Sequence, residues 1–210
     1  MASVAQICNM ALSHIGSDAR VSTIDPPDGS VEAGYCATFY DLVRTELLEP
    51  GNWRFTLKRA SLAEITNESD VWAYAYALPS DCLRSLRILT PSIGITVFTQ
   101  DEVEVLQDEA NSARFTIEGT TLFTNEPDAT LLYVRDITDT TKFTASFTSA
   151  LSYLLASYIA GPVIKGNEGA KLGDSMRQRA MSIADTAATA SANASSTDSE
   201  FIPSQLRARS

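Results

Sequence analysis

The chain has 210 residues, of which 44% are apolar and 20% charged, the balance of a globular protein long enough to bury a core without disulfides or metal. Sixteen Lys and Arg against 26 Asp and Glu leave a net charge of −10, which argues against a protein that grips nucleic-acid phosphates but not against one that lets DNA slide past. One histidine, His14, and three scattered cysteines leave little material for a zinc site, a His-dependent triad or a CxxC motif.

Cys8, Cys36 and Cys82 read as reduced, small, buried apolar groups. The first fifteen residues hold no Lys or Arg, so no secretory signal is expected. Val4, Ile7, Cys8, Ala11, Leu12 and Ile15 form one helical stripe, and Gly16 follows where a helix-ending glycine belongs. A turn-rich stretch from Asp25 to Ser30 comes next. Val31, Tyr35, Phe39, Leu42, Val43 and Leu47 then mark a second helix, closed by Pro50-Gly51.

The character changes between about Trp53 and Asp136. Val71 to Leu78 alternates small and large residues with a period of two. Leu83–Leu89, Ile93–Phe98, Phe115–Ile117, Leu122-Phe123 and Leu131–Val134 are short runs of strand-forming residues punctuated by Pro79, Gly94, Gly119 and Pro127. They predict an antiparallel region of hairpins.

Phe143 to Ile164 carries no charge. Length alone would span a bilayer, but six positions are Ser or Thr, and the large residues from Phe143 to Ile159 share one face. The expectation is a helix buried on both sides, in part against a neighbouring subunit, with no membrane span. Gly161-Pro162 and Gly166-Asn167 interrupt the pattern. A last helix is predicted over about 170–194, through Leu172, Met176, Ala180, Ile183 and Ala187, with an alanine seam that leans on a partner.

These elements predict an α+β protein, mainly α: a four-helix bundle with an inserted antiparallel β region and an extended C-terminal arm. The expected divisions are 1–52 (first helix pair), 53–141 (β insertion), 142–194 (second helix pair) and 195–210 (arm).

Chemistry is sparse. No dinucleotide, P-loop, zincin, nucleophile-elbow or EF-hand pattern is present, and no cofactor or metal is expected. Asp101, Glu102, Glu104, Asp108 and Glu109 crowd five carboxylates into nine residues; without the spacing of a calcium loop they read as a solvated acidic edge, or a lining that repels DNA. Glu46 and Glu49 are the kind of pair a glycosidase needs, yet such pairs are common on helix surfaces. Trp53, Phe55 and Arg59 belong to a mixed aromatic and basic patch suited to capping the bundle or meeting a partner chain. Asp81 and Arg84, at a strand entry, suit an ion pair.

Four stretches together resemble the head-to-tail adaptor family of tailed bacteriophages, also called tail tubular protein A or head-completion proteins. They are Ile7–Gly16 with Ile24-Asp25; Phe39–Arg44 leading to Asn52–Phe55 and Arg59–Ala63; Tyr76–Arg84; and the late helix pair. The second and third carry most of the specificity. The resemblance implies a non-enzymatic virion component, assembled in the host cytoplasm, forming a ring of about twelve copies under the portal. Its partners would be other copies of the chain, the portal protein, a tail nozzle or tail-completion protein, and passing DNA. The arm, through Phe201, Ile202, Leu206, Arg207 and Arg209, would dock on the portal. Trp53, Phe55, Arg59, Tyr158, Met176 and Ile183 would serve subunit or tail contacts, and the acidic run would line the channel. Rival readings are a virion-associated peptidoglycan hydrolase and a monomeric binding module.

Overall fold

The computed structural model describes residues 2–51, 53–89 and 112–193. Helix α1 spans Val4–His14. Ser3 opens it by accepting from the Gln6 amide, and the Gln6 side chain answers on the Ser3 amide, a reciprocal capping box. Gly16, at φ +76, turns the chain away as its position foretells. Helix α2, Val31–Leu48, is capped by Ser30. The turn before it is tied by Asp28, whose carboxylate accepts from the amides and hydroxyls of Ser22 and Ser30 at 2.7–3.0 Å.

Helix α3 covers Ala145–Ile164 and helix α4 Gly166–Asn193. Gly161-Pro162 does not stop α3. In the last turn a proline costs one hydrogen bond and leaves the helix intact. The reversal falls instead at Lys165 and Gly166, both at positive φ, and α4 starts at once.

Eight strands form two antiparallel four-stranded sheets among the described residues. In the first sheet β1 (Leu57–Ser61), β8 (Thr130–Arg135), β4 (Cys82–Leu89) and β5 (Ser112–Ala113) lie in that order. In the second the order is β2 (Ala63–Ile65), β3 (Tyr74–Ala77), β7 (Thr121–Thr124), β6 (Phe115–Glu118). The alternating run from Val71 is strand only from Tyr74 onward, and the expected strand Ile93–Phe98 lies outside the described residues. Leu62, Tyr76, Ile88, Leu122, Leu131 and Tyr133, drawn from both sheets and the corner between β1 and β2, make one core.

The expected helical bundle with a strand insertion is therefore wrong, and the chain is a mixed α+β fold. Its helices do not ring a shared axis. The main packing of α1, α2 and α4 is in each case against α3. A helix that is apolar nearly all round can be the hub for three amphipathic ones, so one stripe on each suffices. The strands, for their part, close a core of their own rather than hanging from the helices.

The second face of α3 is small so that α4 can come close. A Cβ on Gly169 would stand 2.9 Å from the Ala160 carbonyl oxygen, and one on Gly173 2.9 Å from that of Ser157. The glycine-rich stretch is thus a helix–helix contact. The expectation that α3 and α4 need another subunit to bury them is met inside the chain: Phe147, Leu151, Leu154, Leu155, Ile159 and Ala180 are fully buried.

Candidate functional site

Helices and sheets meet at a joint built from the sequence motifs. Trp53, 4% exposed, donates through Nε1 to the Leu47 carbonyl at 2.9 Å and sets its ring edge-on to Phe147 at 5.1 Å. Phe55, half-buried, packs edge-on to Phe147 at 5.3 Å and against Phe143 at 6.1 Å. Beside this aromatic knot the Arg44 guanidinium, 4% exposed, pairs with Asp136 just past β8 and donates to the Ile137 carbonyl at 2.9 Å. Trp53 thus faces the chain's own core.

Tyr158, Met176 and Ile183 also turn inward in part. Tyr158 packs on Phe39 at 5.6 Å and donates to Glu46 Oε2 at 2.6 Å, while Arg177 donates to Glu46 Oε1 at 2.5 Å. The Glu46 carboxylate accepting from Tyr158 pushes the phenol up, with burial adding to it. Glu46 is held as a strut between α2, α3 and α4, which takes it out of a carboxylate pair with exposed Glu49. Met176 and Ile183, half-buried on α4, rest on the helical core.

His14 stacks on Tyr153 at 3.8 Å, and its Nε2 lies 3.1 Å from Ser152 Oγ. Ser152 donates its proton to the Ser149 carbonyl at 2.8 Å. The ring nitrogen is then the donor to the hydroxyl, the reverse of what an activated serine requires. Burial, and then the charge of Arg179, lower the His14 pKa. Cys8 and Cys36 are fully buried free thiols; the Cys36 thiol beside Cys8, together with burial, pushes Cys8 upward. No group of three His, Cys, Asp or Glu able to hold a metal occurs among the described residues. Helix α3 is long and apolar enough to cross a membrane by length and composition, but its large side chains are packed against three other helices.

Asp81 does not pair with Arg84. It accepts from Lys58 Nζ at 2.8 Å and Tyr133 Oη at 2.7 Å, and Lys58 above all, then Tyr133, lowers its pKa. β1, which supplies Lys58, carries no strand signal in the sequence because four of its five residues are exposed on an edge.

Of the described residues expected at contacts, Arg59 is the one that stands exposed, in the middle of β1. The arm residues Phe201, Ile202, Leu206, Arg207 and Arg209, and the acidic run Asp101, Glu102, Glu104, Asp108 and Glu109, lie outside the described residues. What the sequence reading missed is a pattern of surface charge. The strands of the first sheet carry Lys58, Arg59, Arg84, Arg87 and Arg135, with Asp81 and Asp136 at their ends and the Nε atoms of Arg84, Arg87 and Arg135 buried. Around the second sheet, residues 62–73 and 114–129 hold Glu64, Glu68, Asp70, Glu118, Glu126 and Asp128 against one cation, Arg114. Ile65, Val71 and Ile117 stand exposed among those carboxylates, Val71 at 80%. Of these carboxylates only Glu64 and Glu118 lie on strands; the others belong to loops.

The chain matches no known protein-family model, and no curated protein is significantly similar to it in sequence.

Proposed function

We propose that the chain is a structural head-to-tail adaptor of a tailed bacteriophage, one subunit of a ring of about twelve beneath the portal. The observation that carries the reading is the place of the resembling segments in the fold. Phe39–Arg44 and Trp53–Phe55 build the joint that fixes the β module on the helices, through Arg44 with Asp136 and the Trp53–Phe55–Phe147 knot. Tyr76–Arg84 joins the two sheets, with Tyr76 in their core and Asp81 bound to Lys58 and Tyr133. The resemblance thus rests on residues that hold the parts of the molecule in fixed relation, which is what an adaptor between two large assemblies requires. In this reading the arm, 195–210, binds the portal.

The buried positions narrow where a ring contact can form. Trp53 is buried within the chain, while Tyr158, Met176 and Ile183 are half-buried and keep part of their surface for a neighbouring copy, as exposed Arg59 does. The test is the mass of the purified protein, alone and mixed with portal rings, followed by negative-stain imaging. Incorporation at a fixed ratio into a ring on the portal, lost when 195–210 are deleted, is the expected result. A chain indifferent to portal rings overturns the reading.

A further inference from the structure

We propose that Cys8 of α1 and Cys36 of α2 are a redox-active pair, two thiols that close into a disulfide and clamp the first helix to the second. The proposal goes beyond the adaptor reading and does not rest on it.

The pair lies where such a clamp adds something. α1 and α2 each pack mainly on α3 rather than on one another. Cys8 stands in the buried stripe of α1 with Ile7, Ala11 and Leu12, and Cys36 in that of α2 with Ala33 and Tyr40. Both are fully buried in the one helical core. Their side chains are hydrogen-bonded to each other, and Cys8 also lies near Tyr40, one turn beyond Cys36 on the same face of α2. The third thiol, Cys82, is apart from them: it borders the core of the sheets and has Ser85 Oγ at 3.6 Å. A thiol that only fills space packs like any small apolar group and needs no second thiol beside it. Sulfurs in contact across two separate helices are instead the starting arrangement for a disulfide.

The hydrogen bond also sets their roles. Cys8 donates and Cys36 accepts, which pushes Cys8 up and holds Cys36 down. Cys36 is therefore the first to become a thiolate, the form that attacks disulfides. The oxidant is a small disulfide such as oxidised glutathione. The Cys36 thiolate attacks one of its sulfurs, one glutathione leaves as thiolate, and a mixed disulfide remains. Cys8 then gives up its proton and attacks the Cys36 sulfur, expelling the second glutathione. The two protein sulfurs lose two electrons, and the small disulfide takes them up as two thiols. Both thiols are covered in the folded chain, so the first attack waits on an opening of α1, whose main packing is on α3. The second attack needs only its return. A glutathione pool kept reduced, as in a cytoplasm, leaves the pair open, and an oxidising surrounding closes it.

The test uses the full chain with Cys82→Ser, which leaves the pair as the remaining thiols. It is incubated folded, without denaturant, in oxidised glutathione, then unfolded and titrated for free thiol. The expected result is a loss of both thiols, a monomer mass lower by about 2 Da and a peptide map joining Cys8 to Cys36. The melting temperature should rise by about 5–10 °C and fall back with dithiothreitol. The wild type, mapped in the same way, should keep Cys82 free, which makes the result independent of that substitution. Cys8→Ala should stop at the mixed disulfide, with one glutathione held on Cys36. Two thiols still free after the incubation, a glutathione adduct that the intact pair does not resolve, or a bond between two chains overturns the proposal.

Discussion

The helical half and the β half of this molecule spend their sequence differently. In the helical half most large side chains are engaged inside, although Val31 and Leu42 of α2 stand exposed. α3 has three helices around it, Glu46 is a strut, His14 and Ser152 satisfy one another, and even the alanine seam of α4 is seated. In the β half a smaller core closes two sheets, and Leu57, Ile65, Val71 and Ile117 are left exposed. The contrast teaches where stability resides. The larger core, and with it most of the stability, is concentrated around α3, whereas the strands rest on a smaller core of their own.

The sharpest way to break that division is Phe147→Ala. Phe147 is fully buried at the hub and touches Trp53, Phe55 and Phe143. Its removal should cost about 4 kcal/mol in urea unfolding. Because the knot also holds the start of the β module, amide hydrogen exchange should quicken in β1 as well as in the helices. Fast exchange in the helices alone would mean that the two halves are stable independently.

Next in size is a paired glycine experiment. Gly173→Ala drives a methyl toward a backbone oxygen that cannot step aside, and should cost about 2–3 kcal/mol. Gly34→Ala, in α2, meets nothing within 4 Å and should raise stability by about 0.5–1 kcal/mol. Equal effects at the two positions would refute the close α3–α4 contact. Asp136→Asn tests the joint: it leaves the buried Arg44 charge with a weaker partner. A loss of about 2 kcal/mol is expected, below the full cost of breaking a buried pair because Asp136 is itself partly exposed.

The same contrast governs what the sequence disclosed. α1 and α2 are legible to within a residue or so because Gly16 and Pro50-Gly51 close them and a single stripe marks their buried side, whereas the caps Ser3 and Ser30 emerge only in the structure. β1 and β2 are not legible, since exposed edge strands bury neither face and so show no alternation. The bundle was misjudged because an apolar surface records only that something covers it. Whether the cover for Phe147 to Ile159 is another subunit or α1, α2 and α4 of the same chain leaves no mark on those residues. The Trp53 ring, covered by Phe147 and Phe55, is ambiguous in sequence for the same reason. Arg59 is legible as a surface residue, but its alignment with Leu132 and Arg87 is set by strand register, which no linear spacing reveals.

The smallest expected effect is that of pH on the helical half. His14 has its folded pKa lowered from 6.5, by burial first and by Arg179 second. A lowered histidine pKa means that the fold prefers the neutral ring. Its contribution is fully present above the unfolded value, near 6.5, and is lost as pH falls toward and through the folded value. The geometry gives the cause. A proton on Nδ1 would add a charge to a ring stacked on Tyr153, with the Arg179 guanidinium 5.3 Å from the other face-bearing partner in that stack. Because the ring is only half-buried, solvent screens much of this, and the loss should stay under about 1 kcal/mol. It should be read as a fall in melting temperature between pH 7 and pH 5 that His14→Gln largely abolishes. The carboxylates of Asp28 and Asp81 are held below their usual range, by Ser30 and Ser22 and by Lys58 and Tyr133 respectively, so their support fails only as pH drops below about 4. Two separate steps on acidification, the upper one erased by His14→Gln and the lower one retained, would assign the first to the helical half and the second to the turn before α2 and the β module. A single step near pH 4 in both proteins would show that His14 is indifferent to its charge.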